Sequence, residues 1–133
     1  MHELNKKSAT ELAELIKSKK VSSKEVVETH LKRIEEVNPE INAITLTLEE
    51  SAIKLAEKAD SASDEERNRP FHGVPMTIKE NIDFLGTPTT NGVPFFAESM
   101  PPRNAPIVDR MLGAGAIPIG RTNLPEMGMR LDT

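Results

Sequence analysis

Lys79 closes a short, mostly apolar run, Phe71-His72-Gly73-Val74-Pro75-Met76-Thr77-Ile78-Lys79-Glu80-Asn81, and the breaker-rich loop Gly86-Thr87-Pro88-Thr89-Thr90-Asn91-Gly92 follows it. A lysine at such a strand end has one useful chemistry open to it. Partial desolvation disfavours the ammonium form, so the neutral amine becomes accessible as a base. The ordinary alternative is a side chain that simply reaches solvent. Other patterns offer less. His2, His30 and His72 share no ligand spacing and no cysteine assists them, so no metal site is expected. His30 reads as a packing residue beside a helix's apolar stripe, and His72 as a loop residue before the strand. Gly113-Ala114-Gly115 follows a helix instead of a strand, and Pro118 stands where a dinucleotide fingerprint needs its third glycine. These glycines therefore read as a helix C-terminus. No Gly-Lys-Ser/Thr phosphate loop is present.

The elements that must hold Lys79 are legible in outline. Ser8-Ala9-Thr10-Glu11 is a capping box opening a helix with Leu12, Leu15 and Ile16 on one face. Lys17, Lys19 and Lys20 suit its negative C-terminal end. Ser22-Ser23-Lys24-Glu25 repeats the device for a second helix carrying Val27, Leu31, Ile34 and Val37, which Asn38-Pro39 is expected to stop. Alternation over Ile41–Leu48 predicts a half-buried strand with Ile44, Leu46 and Leu48 inward. Helical spacing returns through Ala52, Ile53, Ala56 and Ala59. The polar run Asp60–Pro70 then reads as helix end plus surface loop, with Asp64-Glu65-Glu66 a solvated acidic patch. Beyond Pro70 the pattern becomes strand (Val74–Lys79), helix (Ala105–Leu112, opened by Asn104 with Pro106 in its first turn) and strand (Ile117–Gly120). A strand–helix–strand unit implies a right-handed parallel crossover. Ligands sit beyond the carboxyl ends of such strands, which is where Lys79 and Arg121-Thr122-Asn123 fall.

Composition narrows the class. A chain of 133 residues holds one domain with a modest core. Zero cysteines exclude a disulfide framework. The N-terminus lacks an apolar leader and no run approaches membrane-spanning length, so a cytoplasmic protein without membrane contact is expected. A net charge of −4 with interspersed signs, and 4 phenylalanines without tryptophan or tyrosine, argue against direct nucleic-acid binding.

Three ordered motifs, the Lys79 segment, Gly86–Gly92 and Gly120-Arg121-Thr122-Asn123-Leu124-Pro125-Glu126-Met127-Gly128, resemble the amidase signature family, the Ser–cis-Ser–Lys amidohydrolases. The resemblance runs from the N-terminal helices to Thr133. It implies an α/β fold: N-terminal helices plus the beginning of a mixed or parallel sheet covered by helices. Residues 1–133 would form the N-terminal part of one amidase domain, helical over 1–40 and α/β over 41–133. Lys79 would be the lysine of the catalytic triad, and Met129 a residue bordering the acyl pocket. Glu80 stands where many relatives carry aspartate.

The family's two triad serines belong to a glycine- and serine-rich segment that nothing here matches; Ser99, the sole serine after Lys79, lacks flanking glycines. The resemblance therefore implies a parent hydrolase that cleaves a small carboxamide substrate without metal or organic cofactor, this chain supplying the lysine base. Two alternatives stand beside it. One is a non-catalytic fragment that self-associates or joins a missing C-terminal part. The other is the N-terminal part of the amidase subunit of a tRNA-dependent amidotransferase.

Overall fold

The computed structural model describes residues 2–131. After a single 3-10 turn (Glu3–Lys6) the elements run α1 (Ala9–Lys17), α2 (Ser23–Ile41), β1 (Ile44–Thr47), α3 (Glu49–Asp60), α4 (Asp64–Arg67), β2 (Pro75–Lys79), α5 (Pro106–Gly113) and β3 (Ile117–Thr122). The sheet order is β1-β3-β2, with β1 antiparallel and β2 parallel to the central strand. This is the mixed α/β arrangement expected.

Local chemistry accounts for most boundaries. Ser8 and Glu11 form the reciprocal capping box of α1. At α2 the expected box is only half present, since Ser22 Oγ accepts from the Glu25 amide. The other acceptor comes from afar: the Asp60 carboxylate takes the amides of Ser23 at 2.6 Å and Lys24 at 3.0 Å. Pro39 does not stop α2, which carries it inside its final turn and ends at left-handed Asn42 (φ 47°). So late in a helix, proline forfeits little more than its own bond. Asn38 instead reaches forward to the amide and carbonyl of Ile44 at 2.7 and 2.8 Å. The acidic stretch after Ser63 is also not plain loop. It forms the one-turn α4, with Ser63 and Glu66 as its capping box and Arg67 turned inward. Helix α5 begins at Pro106 behind Ala105; Asn104, expected as its cap, bonds the Leu85 amide and Asp109.

The largest departure is β1. Only Ile44 and Leu48 are partly covered, and Leu46 is 39% exposed. A register shift between Ile44 and Leu46 explains this, because a bulge breaks the period-2 alternation on which the inward assignment rested. The bulge closes over Gly120, where a Cβ would lie 2.9 Å from Ile44 Cγ2. The core divides in two. Val27, Leu31, Ala52, Ala56, Ile117 and Ile119 join α2 and α3 to β3. Leu4, Leu12, Ile16, Val26 and Val74 join α1 and α2 to the start of β2. Each fully buried aliphatic side chain contributes about 1.5–3 kcal/mol, so this packing, more than the capping, holds β2 and β3 in place.

Candidate active site

The parallel register pairs Lys79 with Thr122, so the carboxyl ends of β2 and β3 lie side by side, as the strand–helix–strand pattern implied. The main chain around Lys79 is firmly held. Its carbonyl accepts from the Ile82 amide at 3.0 Å and from Arg121 Nη2 at 3.3 Å. The next amide, of Glu80, donates to the Thr122 carbonyl at 3.1 Å. The Lys79 side chain is the opposite case: it is exposed, and among the described residues its Nζ has no hydrogen bond or ion pair. Residues 2–131 therefore leave this amine open to solvent.

Arg121 is placed otherwise than its strand-end position suggested. It is 1% exposed and works as an internal strut. Nη1 donates to Thr87 Oγ1 at 3.0 Å, and Nη2 to the Ile82 carbonyl at 2.9 Å as well as to Lys79 O. Burial lowers its pKa from the ordinary arginine value, and the charges of Glu80 and Asp83 partly offset that.

Glu80, which the sequence marked only as a variant position, is a junction. One carboxylate oxygen accepts from Thr45 Oγ1 of β1 and the other from Thr90 Oγ1 of the loop after β2. Thr90 Oγ1 in turn accepts from the Gly92 amide at 3.1 Å. Gly92 (φ +67°) lies so close to the following segment that a Cβ would sit 2.6 Å from the Leu124 carbonyl oxygen. The Met127 amide donates to Asn91 O at 2.8 Å. A cleft of about 230 Å³, lined by Glu80, Thr90, Gly92, Val93 and Asn123 among others, opens at these strand ends. A larger hollow of about 640 Å³ lies between α2 and the start of α3, away from Lys79.

Met129 is 78% exposed and does not line that cleft. His72 is buried, with Nε2 3.0 Å from the Ala59 carbonyl, and His30 Nδ1 lies 2.8 Å from Val26 O. Both are structural. Among the described residues no three His, Asp or Glu side chains are grouped to hold a metal ion, and no helix is long and apolar enough to cross a membrane.

A small mixed sheet with helices packed against it, and a pinned lysine bearing a free amine at the carboxyl edge of a parallel strand pair, define an α/β protein with a candidate base. The chain belongs to the amidase signature family: the Amidase family profile matches residues 25–133. It is 44% identical over 124 residues to an indoleacetamide hydrolase of Bradyrhizobium diazoefficiens, covering 92% of this chain and 24% of that protein. It is also 36% identical over 133 residues to a subunit of the glutamyl-tRNA(Gln) amidotransferase of Dehalococcoides mccartyi, covering 100% of this chain and 27% of the relative. The fold superimposes on the peptide amidase of Stenotrophomonas maltophilia with a TM-score of 0.80 at 28% identity, covering 90% of this chain and 25% of that one. The chain thus spans about a quarter of the length of the relatives it matches.

Proposed function

We propose that this chain supplies the lysine base of an amide hydrolase of the Ser–cis-Ser–Lys type. The observation that carries the reading is Lys79: a rigid main chain, a free amine, and a position at the carboxyl edge of paired parallel strands. In the mechanism that family membership suggests, neutral Lys79 takes a proton from the serine in the cis peptide bond. That serine takes one from the nucleophilic serine as its oxygen attacks the amide carbonyl. The proton then passes to the departing nitrogen, ammonia or an amine leaves, and water hydrolyses the acyl-enzyme. Both serines would come from sequence outside this chain, and their approach would cover the amine that residues 2–131 leave exposed.

In a protein carrying the complete amidase domain, Lys79→Ala is expected to abolish hydrolysis of an aryl amide while shifting the melting temperature little. Turnover near the parent rate would overturn the assignment. Met129, as part of the acyl pocket, is the lesser half of the proposal and would show itself as a changed KM in Met129→Ala. The match to an amidotransferase component keeps a second reading in play. Hydrolysis of a free carboxamide by the complete protein without other subunits separates the two; the higher identity to a hydrolase favours it.

A further inference from the structure

We propose that Glu80 is a positioning residue for Lys79, acting as a two-armed clamp through Thr45 and Thr90. The inference rests on the reading of Lys79 as the base. Its two carboxylate oxygens are each taken by a threonine hydroxyl, and those hydroxyls come from segments 35 and 10 residues away. The position needs a carboxylate. An ionised carboxylate is acceptor-only and serves two hydroxyl donors at once, whereas glutamine would have to present one acceptor and one donor group. Hydrogen bonds to an ionised acceptor are also roughly twice as strong as neutral ones.

The clamp joins three separate pieces at the residue following Lys79. Through Thr45 it fixes the bulged edge strand, whose Thr45 Oγ1 also lies 3.5 Å from the Arg121 carbonyl. Through Thr90 it fixes the loop, because the same hydroxyl receives the Gly92 amide. Gly92 and Asn91 pass the restraint on to residues 124–127, against which they pack. The Glu80 main chain is tied to β3 by its bond to the Thr122 carbonyl. On the other side, Arg121 holds the Lys79 carbonyl. Lys79 is thus gripped from both sides at its main chain, while its amine stays free to meet a substrate-side partner. Glu80 itself touches no reacting atom in this arrangement; its effect is on where the Lys79 amine stands.

The test uses a protein carrying the complete amidase domain and compares Lys79→Ala, Glu80→Ala, Thr90→Val and Thr90→Ser. Valine keeps the shape of threonine and removes only the hydroxyl, so it guards against a Glu80→Ala variant that fails to fold. A displacement of about 1 Å in a catalytic group costs on the order of 10²-fold in rate. Thr90→Val and Glu80→Ala should therefore lose kcat on that scale with KM nearly unchanged, and Thr90→Ser should recover most of it. Faster amide exchange at Gly92 in Thr90→Val would accompany the loss. A role confined to stability would lower the melting temperature and leave kcat per folded molecule intact; that result overturns the proposal, as does a Thr90→Ser variant no better than Thr90→Val. Full activity in Lys79→Ala would sink the reading of the base together with the clamp. Loss in Lys79→Ala with parent-level kcat in both Thr90→Val and Glu80→Ala would sink the clamp alone.

Discussion

A buried guanidinium is costly unless its donors are met; the two terminal nitrogens of Arg121 find acceptors on three residues, while its buried Nε has none among the described residues. Its planar fork suits them: one terminal nitrogen serves a hydroxyl, the other two carbonyls. Lysine would bring a single ammonium centre to the same volume and could not span them. We expect Arg121→Lys to destabilise the fold by about 2–4 kcal/mol, from hydrogen bonds to a charged group lost inside the protein. Chemical denaturation measures this directly, and a loss under about 0.5 kcal/mol, the level of an ordinary surface change, would show that the strut is not needed. The strand-end position of Lys79 was legible in the sequence because the apolar run and the breakers after it lie in one continuous segment. Arg121 was legible only as a strand-end residue. Its burial depends on Thr87 and on carbonyls some forty residues away, and no local spacing encodes that.

At the scale of elements, the sequence disclosed what is local and missed what is shared. The reciprocal capping box of α1 lies within four consecutive residues and is readable there. The start of α2 looks like a second box in sequence, yet its main acceptor, Asp60, is the last residue of α3, 37 positions from Ser23. That carboxylate sits where the positive end of the helix dipole is exposed and satisfies two amides that otherwise lack partners. It also fastens the end of α3 to the beginning of α2, the two helices that build the core under β3. Asp60→Ala should cost about 1–2 kcal/mol, the range for lost helix caps. Asp60→Asn, which keeps one acceptor oxygen, should cost less. Urea midpoints of the two variants decide it, and equal losses would mean that charge outweighs hydrogen bonding. The bulge in β1 belongs to the same lesson: alternation in sequence cannot show where a neighbouring strand forces an extra residue out of register.

The whole molecule presents a sheet that is well covered at its central strand and open at its margins. Central β3 is buried along nearly its full length, from Ile117 to Arg121. The flanking strands are different: β1 and β2 lie at the two ends of the strand order, and each leaves one row of main-chain groups unpaired within the described sheet. Thr77 and Lys79 are exposed along β2. Large apolar side chains also face outward, among them Leu85 and Ile107 at 56% and Phe95 at 89% exposure. In relatives about four times as long, residues beyond the matched quarter are available to cover such surface. For the 133-residue polypeptide by itself we expect two consequences. It should hydrolyse no amide measurably, since removing a serine nucleophile costs several orders of magnitude in rate. It should also bind an apolar dye and self-associate, with amide protection strongest in β3 and in the α2–α3 pair and weakest along the outer edges of β1 and β2. Sedimentation at several concentrations, paired with hydrogen exchange, tests the second expectation. A monomer that binds no dye and protects β1 and β2 as strongly as β3 would establish that these residues form a self-sufficient unit.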